Sequence, residues 1–174
     1  MREVADAERI RRLMRSLGAE ADEDTAAYFT GGATAVLLGW RESTIDVDLL
    51  FVPEQDAILR AIPRLKDELR INVELASPVD FIPVPGGWEE RSLFVTREGR
   101  LSFFHYDPYA QALSKLERAH ALDLEDVQAL IERELVDPSR ARRYFEQIEP
   151  ELYRYPAVDP RAFRARVEET LGAR

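Results

Sequence analysis

Residues 45–52 constrain the fold of this chain more than any other segment, because they combine the alternation of a β-strand with two acidic side chains. Side chains alternate between the two faces of a strand, so Asp46 and Asp48 project from one face. The other face, which we expect to enter a core, carries Ile45, Val47, Leu49 and Phe51. At a rise of about 3.3 Å per residue, the two carboxylates start about 6.6 Å apart, close enough to converge on two metal ions. Two like charges beside a core require compensating cations.

The composition limits the class of protein. The 174 residues contain no Cys, which excludes disulfides and thiolate metal sites and fits a reducing compartment, so we expect a cytoplasmic protein. The 24 basic and 33 acidic residues give a net charge of −9, which argues against a protein that coats long nucleic acid by charge alone. The first helix intersperses four arginines with apolar residues and is therefore amphipathic, so we expect no membrane association.

Hydrophobic periodicity predicts a small mixed sheet followed by helices. The predicted strands are residues 28–29, 45–52, 71–75, 79–82, 93–95 and 101–106, with a hairpin joining the last two. Helices are expected at residues 33–38 and, despite Pro63, at 55–69. Three Asp-Pro pairs, at 107–108, 137–138 and 159–160, suit helix N-termini. The fold class is thus α+β, with a core over residues 1–106 and a helical C-terminal region over 107–174.

A glycine pair, Gly31 and Gly32, follows the first predicted strand. By itself such a pair is typical of a tight turn, but glycines also let backbone N–H groups approach phosphate oxygens. Together with Asp46 and Asp48 it indicates metal-assisted nucleotidyl transfer, which requires a triphosphate to be held and its charge neutralised. Arg41, Ser43 and Thr44 either help to hold phosphates and orient the carboxylates or are plain loop residues.

These residues resemble the minimal nucleotidyltransferases of the DNA polymerase β superfamily, in which a Gly-Gly or Gly-Ser turn precedes an Asp-hydrophobic-Asp strand. The resemblance covers residues 28–52 and implies an NTP substrate, with Mg²⁺ ions held by Asp46 and Asp48. It also implies a third carboxylate on a neighbouring strand, for which Asp80 and Glu74 compete. We prefer Asp80, because prolines bound the short strand predicted around it.

A second resemblance concerns the helical half. Residues 113–116 and 122–127 are similar to the lysine helix and the Asp-Leu-x-Asp segment of the abortive-infection nucleotidyltransferases, the toxins of toxin–antitoxin pairs. By that resemblance Lys115 contacts the triphosphate and Asp123 assists near the active site. The alternatives are that Lys115 is simply exposed and that Asp123, with Asp126, caps the following helix. Leu122 stands where the family usually has a basic residue.

The expected function is therefore Mg²⁺-dependent transfer of an NMP from an NTP to a tRNA or protein acceptor, with a cognate antitoxin as a further partner. The competing expectation is a non-catalytic nucleotide-binding or partner-binding protein of the same fold, or an antitoxin-like modifier of one cognate protein. Absence of a third acid near Asp46 would favour the non-catalytic protein. His105 and His120 lack the spacing of zinc ligands, so we expect them to be packed or capping residues.

Overall fold

A computed structural model describes residues 3–172 of the chain. Two compact units are distinguished. One comprises the chain up to Ser77 together with Ser92–Tyr106, and the other comprises Pro78–Arg91 together with the residues from Asp107 onward. The first unit contains the β-strands and the second is helical, which confirms the predicted α+β class.

The first unit is built on a five-stranded mixed sheet in the order β5-β4-β2-β7-β6. The strands of this unit are β1 (Ala5–Asp6), β2 (Thr25–Thr30), β3 (Ser43–Thr44), β4 (Asp46–Val52), β5 (Asn72–Leu75), β6 (Leu93–Glu98) and β7 (Leu101–His105). β4 runs antiparallel to β2 and parallel to β5, while β2 runs parallel to β7. β6 and β7 form the predicted antiparallel hairpin, and β1 pairs separately with β3.

Three helices of the first unit pack their apolar side chains into one core with the sheet. They are α1 (Ala7–Glu20), α2 (Gly32–Leu38) and α3 (Asp56–Glu68), which continues through Pro63 as predicted. α1 begins where the Asp6 side chain accepts a hydrogen bond from Arg9 N at 2.9 Å. The buried core includes Ile10, Leu13, Leu17, Phe29, Val47, Leu49, Ile58 and Phe103. Burial of these side chains removes their apolar surface from water, and the polar side chains of β4 lie on the opposite face of the sheet.

Two predictions about strands are wrong. Ile45 precedes β4 and is 73% exposed, so it does not enter the core with Val47. Residues 79–82 do not form a strand: Pro78–Asp80 is a 3₁₀ turn, and Phe81 N and Ile82 N both donate to Pro78 O at 3.0 Å. Proline offers no N–H to a strand ladder, and here its carbonyl closes a local turn instead.

The second unit contains the remaining α-helices of residues 3–172. They are α4 (Trp88–Arg91), α5 (Pro108–Arg118), α6 (Ala121–Glu132), α7 (Pro138–Ile148) and α8 (Pro160–Leu171). All three Asp-Pro pairs start helices as predicted: Asp107 accepts from Tyr109 N at 3.0 Å, Asp137 from Arg140 N at 2.7 Å, and Asp159 from Arg161 N at 3.0 Å. Within residues 3–172, no helix has the length and apolar character needed to cross a membrane.

Candidate active site

The centre of the candidate site is the polar face of β4. Val47, Leu49 and Phe51 are at most 3% exposed, whereas Asp46 and Asp48 are half-buried on the opposite face. The predicted alternation of acids and core residues is therefore confirmed for this strand. The two carboxylates lie on a strand with neighbours on both sides, β5 and β2, which limits how far they can move apart.

Gly31 brings the glycine turn against Asp48. Its φ of 66° lies in the region that L side chains rarely adopt, and a Cβ at this position would stand 2.8 Å from Asp48 Oδ2. Thr30, the last residue of β2, is paired with Asp48 in the sheet. The turn and the second acid are thus held together by the β2–β4 pairing and by the absence of a side chain at Gly31.

Arg41 and Thr44, two of the three upstream residues predicted to assist, lie close to the second glycine. A Cβ at Gly32 would stand 2.9 Å from Thr44 Cβ and 3.0 Å from Arg41 Nη1. The Thr44 hydroxyl also donates to Asp46 O at 3.0 Å, which ties this segment to the start of β4. A guanidinium and a hydroxyl therefore border the glycine turn.

Glu74 is the acid that the sheet places beside the Asp pair. β5 pairs with β4 in register, Asp46 with Asn72 and Asp48 with Glu74, so all four side chains leave the same face. Asn72 Nδ2 donates to Asp46 Oδ1 at 2.5 Å and to Glu74 Oε1 at 3.1 Å. One amide therefore joins the carboxylates of two neighbouring strands.

The sequence reasoning missed Asn72, although a signal was available. Asn72-Val73-Glu74 repeats the polar-apolar-polar pattern of Asp46-Val47-Asp48, and Val73 is buried like Val47. Two such segments on adjacent parallel strands bring four polar side chains to one face. Asp80 lies in the second unit, exposed at the end of the 3₁₀ turn, and its role as the third carboxylate stays a prediction. The strand on which that preference depended is not formed.

The second unit holds a buried ionic cluster around Lys115. The lysine is 5% exposed, and its Nζ lies 2.7 Å from Asp126 Oδ2 and 3.7 Å from Asp123 Oδ1. Arg118 donates two hydrogen bonds to Asp123, at 2.8 and 2.7 Å. The alternative that Lys115 is an exposed residue is wrong, because α5 and α6 pack together over it.

Asp123 caps α6 in a different way from the one expected: His120 is the N-cap, and Asp123, the third residue of the helix, accepts a hydrogen bond from His120 N at 3.3 Å, while Asp126 pairs with Lys115. Burial alone raises the pKa of Asp123, but the hydrogen bonds from Arg118, the charges of Arg118 and Lys115 and the hydrogen bond from His120 N together hold that pKa below its usual value. Asp123 is therefore an ionised anchor between two helices, and a role in chemistry for it stays a prediction.

The donor set on β4 fits Mg²⁺ when a triphosphate is bound with it. Within residues 3–172, no three His, Cys, Asp or Glu side chains are grouped closely enough to hold an ion. Mg²⁺ does not require such a cage, because it is commonly bound through one or two carboxylates, substrate phosphates and water. Asp46 and Asp48 supply two carboxylates, and Gly31 lets Asp48 Oδ2 come within 2.8 Å of the position that a Cβ would take.

Comparison with known proteins gives one family match. The family model described as "Nucleotidyltransferase of unknown function (DUF6036)" matches residues 8–156, which is well over half of the chain. The matched region includes the polar face of β4, the glycine turn and the Lys115 cluster. Comparisons with curated proteins and with solved structures find no match.

Proposed function

Because the chain belongs to this nucleotidyltransferase family, we propose that it catalyses Mg²⁺-dependent transfer of an NMP from an NTP to an acceptor hydroxyl, with release of pyrophosphate. The observation that carries the proposal is the shared face of β4 and β5, where Asp46, Asp48 and Glu74 lie together and Gly31 contacts the second of these acids. Such a site can bind a polyphosphate through its metal ions and backbone, and the carboxylates are already held by the sheet.

Asp46 and Asp48 hold the metal in this proposal. The ion, when bound, supplies positive charge to the triphosphate oxygens and to the leaving pyrophosphate. Gly31 and Gly32 allow backbone N–H groups to approach the phosphates, and Arg41 and Thr44 at the turn add a guanidinium and a hydroxyl. The half-buried position of the two acids keeps their direction fixed before the substrate arrives.

Glu74 is our candidate for the third carboxylate. It is exposed, it is paired with Asp48 across the sheet, and Asn72 joins it to Asp46. An exposed carboxylate at this edge can accept the proton of an attacking hydroxyl. Asp80 is the alternative for the same role. Absence of a third acid near Asp46 would favour a non-catalytic protein. The position of Glu74 near Asp46 therefore supports the catalytic function.

Lys115 neutralises charge on the triphosphate in this proposal, and Asp123 positions it. The ammonium group lies 2.7 Å from Asp126 Oδ2 and 3.7 Å from Asp123 Oδ1, and these two carboxylates fix its direction. Contact with a phosphate then requires Lys115 to exchange its hydrogen bond to Asp126 for one to the substrate. The acceptor is an RNA, in particular a tRNA end, or a protein, in a toxin–antitoxin setting in the cytoplasm.

The proposal is tested by incubating the protein with each α-labelled NTP, Mg²⁺, total cellular RNA and lysate protein. We expect label in RNA or in protein with one NTP, and loss of about a hundredfold or more in Asp46→Asn and Asp48→Asn. Asp56→Asn is the matched control, since Asp56 is an exposed acid in the first turn of α3. Label in neither fraction with any NTP, or transfer that survives both site substitutions, would reject the proposal.

A further inference from the structure

A cavity of about 490 Å³ lies in the first unit between α1, the end of α2 and the edge strand β6. His105 contributes to it and is paired in the sheet with Phe29, whose neighbour Thr30 is paired with Asp48. Successive residues of a strand face opposite sides, so the cavity and the carboxylates lie on opposite faces of the sheet. The cavity is therefore separate from the candidate active site.

The cavity has an apolar interior. Its apolar lining is formed by Met14, Leu37, Leu38, Leu93, Phe94 and Val95. His105 is 4% exposed, its Nδ1 lies 3.1 Å from Thr34 Oγ1, and burial lowers its pKa to about 4, so the ring is neutral at pH 7. The volume lies within the range of about 300–1,000 Å³ that is usual for small-molecule pockets.

Two arginines give the cavity a cationic border. Arg11 and Arg15 both line it and are one helical turn apart on α1, so their guanidinium groups share a face. Within residues 3–172, Arg11 forms no ion pair, and Arg15 has only a 3.5 Å contact with Glu8 in which both side chains are more than half exposed. Such a contact is weak. Glu98 is the single carboxylate in the lining, so cations exceed anions there.

We propose that this cavity binds a small amphipathic anion, with its apolar part between α1 and β6 and its carboxylate, sulfonate or phosphate group between Arg11 and Arg15. An apolar interior with a cationic border selects an apolar molecule that carries one anionic end. Among the described residues, the interior of the cavity contains no cation, so the anionic end of the ligand faces the two arginines and its apolar end faces inward. This site does not depend on the proposed transferase activity.

The test uses 8-anilinonaphthalene-1-sulfonate as the probe, because it combines an aromatic body with one sulfonate. The full chain is titrated at pH 7 and probe fluorescence is recorded. We expect saturable binding that weakens by about fivefold to tenfold in Arg11→Gln and in Arg15→Gln, as loss of one charge-assisted contact implies. Arg12→Gln is the matched control, because Arg12 is an exposed arginine of the same helix that does not line the cavity.

A second pair of measurements separates the charge from the apolar part. Octanoate should displace the probe, whereas the neutral octan-1-ol should displace it far less well. Val95→Trp should abolish binding by filling the cavity, with circular dichroism used to verify folding. If Val95→Trp fails to fold, the probe affinities of Arg11→Gln and Arg15→Gln alone test the proposal. Unsaturable binding, equal affinity in all three arginine variants, or equal competition by the alcohol would each overturn the proposal.

Discussion

Gly31 shows how one residue can determine the geometry of the candidate site. Its positive φ turns the chain after β2, and its missing side chain allows Asp48 Oδ2 to approach. Asn72 acts at the same scale, since its single amide holds Asp46 and Glu74. Neither residue carries charge, yet together they fix the directions of three carboxylates. Their effects can therefore be measured separately from the charges themselves.

We predict that Gly31→Ala destabilises the chain more than Gly39→Ala. Both glycines have positive φ, at 66° and 93°, which costs an L side chain about 1–3 kcal/mol. Only at Gly31 would the new Cβ also meet Asp48 Oδ2, whereas nothing lies within 4 Å at Gly39. Urea unfolding of both variants gives the comparison. An equal loss of unfolding free energy would show that contact with Asp48 has no energetic effect.

His105 predicts a pH dependence of stability. Burial lowers its pKa from 6.5 to about 4, so the unfolded chain binds more protons than the folded chain between these values. The stabilisation is complete above pH 6.5 and is lost as the pH falls towards 4, by about 3 kcal/mol at most. Urea unfolding between pH 7 and pH 4 measures this decline.

Substitution of His105 separates its contribution from the rest of this decline. His105→Asn should flatten the curve between pH 6.5 and 4, and His120→Asn, at the N-cap of α6, is the comparison variant for the replacement of a histidine as such. Proton NMR of the histidine rings reports the titration directly. A ring of His105 that titrates near pH 6.5 in the folded protein would contradict the prediction.

At the scale of elements, the pairing of α5 with α6 depends on the ion pair of Lys115 and Asp126. Both side chains are at most 6% exposed, so removal of either partner takes from a buried charge its nearest opposite charge. The helices otherwise start from local signals, namely Asp107 at α5 and the Asp123 contact at α6. Local capping determines where each helix begins, and the buried ion pair aligns the two helices with each other.

We predict that Lys115→Met lowers the free energy of unfolding by about 3–5 kcal/mol, because the buried Asp126 would lose its ion pair with Lys115. Arg60→Gln is the matched control: Arg60 and Asp56 form an exposed pair, and its loss should cost less than about 1 kcal/mol. Chemical denaturation measures both. The double variant Lys115→Met with Asp126→Leu should recover much of the loss. A small effect of Lys115→Met would show that the cluster does not hold the helices.

At the scale of the whole molecule, substrate binding should appear as a gain in stability, since a ligand that binds only the folded state stabilises it by about 2.7 kcal/mol at a hundred times its Kd. We predict that Mg-NTP raises the thermal unfolding midpoint of the wild-type chain and leaves that of Asp46→Asn unchanged.

Asn72→Ala should weaken Mg-NTP binding by about tenfold or more, the usual effect of losing a group that orients a metal ligand. Scanning calorimetry across an Mg-NTP titration provides the measurement.

Gln128→Ala is the control for Asn72→Ala, because Gln128 is an exposed amide on α6 that donates a hydrogen bond to Glu132 Oε1 at 3.0 Å. It should show the same Mg-NTP shift as the wild-type chain. If Mg-NTP raises the unfolding midpoint of Asn72→Ala as much as that of the wild-type chain, Asn72 does not contribute to the site. If Mg-NTP still raises the unfolding midpoint of Asp46→Asn, Asp46 does not hold the metal.

The sequence by itself determined the features that depend on local geometry. The alternation of β4, the glycine turn before it and the three Asp-Pro helix starts follow from strand periodicity, backbone freedom and capping, which involve only nearby residues. The α+β class and the family resemblance followed from the order of these patterns. The same reasoning failed at residues 79–82, where apolar residues around one acid read as a strand.

Only the tertiary structure decided which residues meet. Glu74 stands beside Asp48 because β5 pairs with β4 in one register, and Lys115 is buried because α6 packs on α5. Strand order, register and helix packing depend on hydrogen bonds and apolar contacts between residues far apart in sequence, which a local pattern does not encode. Asn72 illustrates the difference: its position on the site face followed from its spacing, but its bridging of two carboxylates required the adjacent strand.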